Sequence, residues 1–150
     1  MILYRIANFK HAEDLSGTGA KLFGGRWNSI GVPMHYMSAN RALAALEVLA
    51  NKGTLLGSKK LCLTVFEVPD QHIQTIEITT LPQNWRAYPG LPELKKLGDE
   101  FIRQGEFLLL KVPSAIIIDE FNYLMNVAHP LAEKAKILEV NLFNFDPRLV

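Results

Sequence analysis

Residues 16 to 32 carry five glycines, at positions 17, 19, 24, 25 and 31, with serine, threonine and asparagine among them. Such a stretch reads as a loop with demanding backbone geometry, because glycine alone adopts left-handed conformations at no steric cost. Whatever fold the chain takes must wrap regular elements around this segment. The segment is not a phosphate-cradling P-loop, since Gly24-Gly25-Arg26 lacks the GxxxxGK[ST] frame. Nor does a dinucleotide-type glycine pattern open a helix here, so nucleotide binding would use another fold.

Around the loop, hydrophobic patterning sets the elements. Residues 2 to 7 alternate as a first strand, and Met34 to Met37 form a short one. Ser38 is placed to cap a helix from about Ala39 to Asn51, with Gly53 just past its end. Leu61 to Val68 is the clearest strand, and Ile76 to Ile78 reads as another. Residues 79 to 92 hold three prolines and an exposed-looking Trp85-Arg86, which suggests a long loop. Leu94, Leu97, Phe101 and Ile102 recur at helical spacing within Glu93 to Gln104. Phe107 to Val112 and Ser114 to Ile118 read as strands separated by Pro113. Asp119 to Val127 is ambiguous between an extended segment and a turn, His129-Pro130 opens a short helical stretch, and Ile137 to Phe145 alternates as a last strand. The order mixes strands and helices without the regular repeat of a doubly wound sheet. It predicts a single α+β domain over residues 1–150, with a mostly antiparallel, split sheet and flanking helices.

At 150 residues with 49% hydrophobic content, the chain can bury a real core. A formal charge of +1 provides no field to attract nucleic acid or acidic lipid. Cys62 is the only cysteine, so no disulfide can form within the chain. A buried thiol serving as a small hydrophobe is the expectation for it. No apolar run approaches the roughly 18 residues a membrane span needs, and the expected location is cytoplasmic.

The residues that could carry chemistry lie in order along the chain. Arg26 follows two glycines, which allow a ligand to approach, and a guanidinium suits a pyrophosphate; it could equally pair with a nearby acid. Tyr36 and His35 fall on opposite faces of a strand, so one ring points inward. Tyr36 could stack on a flat heterocycle or simply fill the core. Glu47 shares a helix face with Asn40, Ala44 and Asn51, while Leu46 and Leu49 lie on the other side. Its carboxylate faces either water or a polar cleft. His11, His72 and His129 are too far apart in sequence to suggest a metal site, and no HExxH or CxxC occurs. Ser114 lacks a hydrolase triad signature.

Taken together, these segments resemble the RES domain family of bacterial toxin–antitoxin toxins, which is named for an arginine, a glutamate and a serine. The resemblance runs through Gly25-Arg26-Trp27-Asn28, Gly31, Tyr36 and Ala42-Leu43-Ala44-Ala45-Leu46-Glu47. It continues through Leu81-Pro82, Trp85-Arg86, Leu97-Gly98-Asp99 and Val112-Pro113-Ser114-Ala115, to Asn122-Tyr123-Leu124-Met125-Asn126 and His129-Pro130. It covers nearly the whole chain, departing at Val127, where the family often has proline, and weakening from Thr54 to Lys60.

The resemblance implies a fold similar to ADP-ribosyltransferases and an activity that consumes NAD as substrate, with no resident cofactor and no metal. It carries catalytic roles onto Arg26, Tyr36, Glu47 and Ser114, with Trp27 and Asn28 beside Arg26 and Tyr36 in NAD binding. Arg26 would clamp the pyrophosphate, and Tyr36 would hold the nicotinamide ribose end. Glu47 would stabilise an oxocarbenium-like transition state, and Ser114 would bond within the pocket or orient Glu47. It further implies an Xre-type helix-turn-helix antitoxin that blocks the cleft, and a toxin homodimer within a larger complex. Three functions stay in play: NAD depletion by nicotinamide–ribose cleavage, mono-ADP-ribosylation of a protein, and a non-enzymatic nucleotide-binding module.

Overall fold

The computed structural model describes residues 1–51 and 60–150. Its strands are β1 (Ile2–Asn8), β2 (His35–Ser38), β3 (Leu61–Glu67), β4 (Ile73–Thr75), β5 (Leu109–Pro113), β6 (Phe121–Met125) and β7 (Lys136–Phe143). Its helices are α1 (Thr18–Phe23), α2 (Arg41–Ala50) and α3 (Pro92–Gln104), with 3-10 turns at Phe9–His11, Ile78–Thr80 and Pro130–Lys134. The seven strands run in the order β4-β5-β6-β2-β1-β3-β7. Every neighbouring pair is antiparallel except β4 and β5. The architecture is α+β, as expected.

The strands form one sheet rather than a split one, and its narrowest joint lies between β1 and β2. These strands share one register pair, Tyr4 with Ser38, whereas β1 and β3 pair along all seven residues of β1. Beyond Tyr4 and Ser38 the sheet forks, and a cavity is lined by Ile6 from one side of the fork and Tyr36 from the other.

Three apolar clusters cover the sheet. Leu3, Met37, Phe66, Leu109 and Met125 pack together in one. Leu110, Val112 and Leu124 pack against α3 through Leu94 and Phe101 in the second. Because Leu109 and Leu110 fall in different clusters, β5 is covered on both faces. This explains why residues 107 to 112 read as an almost unbroken apolar run rather than an alternating one. Ile6 and Leu61 hold Ala44 and Val48 of α2 in the third.

Several local expectations are corrected. The glycine-rich stretch contains α1, a six-residue helix delimited by Gly17 and Gly24, both left-handed at φ 70°. Ser38 ends β2 instead of capping α2; the cap is Asn40, whose Oδ1 accepts from the Leu43 amide at 2.8 Å. The strand expected at Ile76 to Ile78 lies three residues earlier, where β4 pairs in parallel with β5. Trp85 is only 7% exposed and belongs to the α3 cluster, although Arg86 beside it is exposed. Residues 114 to 118 are a turn, not a strand. Ser114 Oγ accepts from the amides of Ile116 and Ile117, at 3.1 and 3.2 Å, and reverses the chain into β6. The ambiguous segment after Asp119 resolves as β6. Gly53 and residues 54 to 59 lie outside the described residues.

The closest backbone approach lies where α3 meets the glycine loop. A Cβ on Gly98 would sit 1.7 Å from the Trp27 carbonyl oxygen. One residue later, the Asp99 carboxylate accepts from the Ser29 amide at 2.9 Å and from its hydroxyl at 2.6 Å. Gly98→Ala therefore forces α3 off the loop and should cost about 3 kcal/mol through overpacking. For a domain of this size, that corresponds to a melting midpoint lower by roughly 6–12 °C. Thermal unfolding checks it, and an unchanged midpoint would mean that the helix and loop can separate freely.

Candidate active site

A cavity of about 690 Å³ opens beside the fork in the sheet. It gathers Gly24, Gly25 and Arg26 from the glycine loop, Tyr36 from β2, Glu47 from α2 and Asn122 from β6. The volume suits a ligand of small-molecule or cofactor size.

Arg26 is held from one edge. Its Nη1 donates to the carbonyls of Trp85 and Ala87, at 3.1 and 2.9 Å. Nε and Nη2 make no hydrogen bond among the described residues. Burial pulls the guanidinium below its usual range, and the charge of Glu47 opposes that pull. Yet Arg26 and Glu47 form no direct ion pair. The two charges sense each other across the cavity with room between them.

Glu47 projects from α2 toward β6, where Asn122 Nδ2 donates to its Oε1 at 2.6 Å. Asn122 Oδ1 in turn accepts from Ser38 Oγ at 2.7 Å. This three-residue chain across β2, β6 and α2 fixes the carboxylate. Burial pushes Glu47 above its ordinary value of 4.5, against the Asn122 hydrogen bond and the Arg26 charge, which both favour the carboxylate. Of the two positions open from periodicity, Glu47 takes the polar cleft.

Tyr36 contributes its ring to the cavity, while its hydroxyl is already engaged. The hydroxyl donates to Asn28 Oδ1 at 2.7 Å and accepts from the Trp27 amide at 3.2 Å. Burial raises the pKa of the hydroxyl further above the physiological range, so the phenol stays neutral. His35, on the other face, is buried edge-on against Phe66 at 5.2 Å. Its burial, with Arg5 nearby, pushes its pKa down to about 3.

Three residues expected at the site lie behind it. Asn28 is 0% exposed, and its amide donates to the carbonyls of Ala20, Val32 and Ser29 at 2.9, 3.0 and 3.2 Å. Trp27 packs into the α3 cluster. Ser114 is buried and caps its own turn, and it is Ala115 and Ile116 of that turn that line the cavity. Asn122, by contrast, reaches the carboxylate although the sequence suggested no role for it. The only signal it gave was its place in Asn122-Tyr123-Leu124-Met125-Asn126. No group of three His, Cys, Asp or Glu side chains converges on a metal position among the described residues.

The RES domain family model matches residues 2–146. The chain belongs to the RES domain family. A Prs ADP-ribosylating toxin from Sphingobium sp. is 40% identical over 93% of this chain and 88% of its own length. A protein named Toxin Res from Photorhabdus laumondii is 37% identical over all of this chain and 97% of its own length. Among solved structures, a chain of the M. tuberculosis MbcT–MbcA toxin–antitoxin complex superposes with a TM-score of 0.78. That match covers 95% of this chain and 84% of the other at 18% identity, so the likeness is one of fold. The RES-domain chain has no helix long and apolar enough to cross a membrane among its described residues.

Two expectations follow from the site. Tyr36→Phe keeps the ring but leaves Asn28 Oδ1 and the Trp27 amide short of a partner. Unfolding measurements should show a loss of about 1–3 kcal/mol, whereas a ring that merely stacks on ligand would show none. The second concerns pH. A carboxyl whose folded-state pKa is raised contributes stability that is complete below its unfolded value and is lost as pH rises through the raised one. Glu47→Gln should therefore melt above wild type at pH 7 to 8, with the gap closing as pH falls below 4.5. A gap independent of pH would show that Glu47 carries no such penalty.

Proposed function

We propose that this RES-domain protein is the toxin of a bacterial toxin–antitoxin system and that it depletes NAD by cleaving the nicotinamide–ribose bond. The observation that supports this most is the unpaired opposition of Arg26 and Glu47 in one cavity. Two opposite charges that face one cavity without touching leave space for a ligand that carries both signs. A dinucleotide with an anionic pyrophosphate and a cationic pyridinium is such a ligand.

In this reading, the free edge of the Arg26 guanidinium binds the pyrophosphate, and the Tyr36 ring walls the nicotinamide ribose end. Glu47, held by Asn122, accepts from ribose hydroxyls and lies near the anomeric carbon. As the glycosidic bond breaks, its electron pair goes to the pyridinium nitrogen, and nicotinamide leaves neutral. No general acid is required, so one carboxylate serves where ordinary glycosidases use two. Positive charge grows on the ribose, and the fixed carboxylate stabilises it with little reorganisation. NAD is consumed as substrate, with no resident cofactor.

The acceptor distinguishes two enzymes that share this half-reaction. Water or inorganic phosphate gives NAD depletion, and a protein side chain gives mono-ADP-ribosylation. The name of the Sphingobium relative, an ADP-ribosylating toxin, favours the second. An Xre-type helix-turn-helix antitoxin covering the cleft, and a toxin homodimer within the complex, complete the proposal. The M. tuberculosis structure that shares the fold is itself a toxin–antitoxin complex.

The test is nicotinamide release by purified, antitoxin-free protein, with and without phosphate and with candidate protein acceptors. Glu47→Gln should lower kcat about 10²–10³-fold while NAD still binds. The acid limb of kcat/KM should fall above pH 4.5, because the buried carboxyl must lose its proton first. No release from folded wild type under any of these conditions would leave a nucleotide-binding module as the reading.

A further inference from the structure

Two large aromatic rings that line the cavity are almost fully exposed. Phe23, the last residue of α1, is 80% exposed, and Tyr88 is 85% exposed. Both line the cavity. Among the described residues neither ring makes an aromatic or cation–π contact. Leu22 and Ile30 are exposed nearby in sequence, at 60% and 72%, but do not line the cavity. An aromatic ring left in water at the rim of a concave site contributes nothing to folding, and such rings commonly mark ligand contacts.

Their position relative to Arg26 gives them an order along a ligand. Phe23 precedes the Gly24-Gly25-Arg26 turn, and Tyr88 follows Ala87, whose carbonyl holds Arg26 Nη1 at 2.9 Å. Gly90 then packs so closely on Arg26 that a Cβ there would lie 3.3 Å from its Cα. Tyr88 is thus held near the guanidinium through Ala87, and Phe23 lies three residues before Arg26 in the chain, while Glu47 is fixed separately by Asn122 on β6. The ring of Tyr36 also lines the cavity, anchored through Asn28.

We infer that Phe23 and Tyr88 form a clamp for the adenine ring of the dinucleotide, on the far side of Arg26 from Glu47. The inference rests on the NAD-cleaving reading above. With the pyrophosphate on Arg26 and the nicotinamide ribose at Glu47, the adenosine half must extend past Arg26, and Phe23 and Tyr88 are the exposed aromatic rings of the cavity in the two segments that hold that guanidinium. Every purine has a π-face, so stacking there would grip the ligand without contributing to bond cleavage. That is uniform binding, which acts on KM and leaves kcat nearly unchanged.

The test uses the whole chain and two readouts. ADP-ribose, which lacks nicotinamide, reports on the adenosine side through its Kd by calorimetry. NAD turnover reports on cleavage. Phe23→Ala and Tyr88→Ala should each weaken ADP-ribose binding about ten-fold and raise KM for NAD in parallel, with kcat little changed. Tyr88→Phe should bind like wild type. Both sites are exposed, so the melting midpoint should not move. Unchanged Kd in both alanine variants, with NAD cleavage intact, would overturn the clamp and leave the cleavage reading standing. A fall in kcat at constant Kd would also overturn it, by placing the rings in catalysis or lid motion. Wild type that neither binds ADP-ribose nor cleaves NAD would overturn both readings.

Discussion

One buried amide organises the glycine loop, and the site depends on that loop. Asn28 ties together Ala20 within α1, Ser29 and Val32 in the loop, and Tyr36 on β2. Its own carbonyl accepts from the Gly25 amide at 3.0 Å, which closes the turn that presents Arg26. No aliphatic side chain could replace it: the Val32 carbonyl and the Tyr36 hydroxyl proton would lose the partner Asn28 supplies, and the Ala20 and Ser29 carbonyls would keep only the amides of Gly24 and Val32. Gly25 belongs to the same arrangement, since a Cβ there would meet the Tyr36 hydroxyl at 2.6 Å and Asn28 Oδ1 at 2.8 Å. The loop lacks a regular hydrogen-bond ladder, and this polar knot substitutes for one.

The second constraint is the cost of keeping a carboxylate in a partly closed cavity. Desolvation disfavours the ionised form of Glu47, and only two groups oppose it: Asn122 and Arg26. A direct Arg26 contact would stabilise the carboxylate more, but it would also fill the ligand space. The arrangement instead satisfies Glu47 from behind through Ser38 and Asn122, leaving the Arg26 side for substrate. The fork between β1 and β2 makes this possible. A fully paired sheet would close the space that Tyr36 and Ile6 now border.

The sequence displayed the elements and the three central residues more readily than their connections. Helical spacing grouped Glu47 with Asn40 and Asn51, and alternation separated Tyr36 from His35, because both are local consequences of backbone geometry. Asn122 was not assigned a role because its partners are 75 and 84 residues away, and no periodicity encodes that distance. Trp85 looked exposed because its neighbours are proline and polar residues, while the cluster that buries it comes from α3 and β5. Ser114 was assigned to the pocket by resemblance, whereas its hydroxyl is spent on its own turn. Its contribution is to shape the loop that brings Ala115 and Ile116 to the cavity. The same is true of Asn28, whose chemistry suits a ligand but whose hydrogen bonds are all internal.

Arginine at position 26 shows why the residue type matters as much as its charge. The planar guanidinium donates one edge to the carbonyls of Trp85 and Ala87 and keeps the other free, which the single ammonium of lysine could not do with the same rigidity. Arg86 repeats the device nearby. Its Nε and Nη2 bind the carbonyls of Ala115 and Ile116, stitching the 85–90 segment to the turn that Ser114 caps. Loops that would otherwise move independently are joined by two guanidiniums into a single wall. A cation held this way loses little further freedom when an anion arrives, so more of the binding energy remains for the reacting end of the ligand. It also means that truncating Arg26 removes a wall tie together with a charge. Lysine at that position separates the two roles, because it keeps the charge and loses the fork.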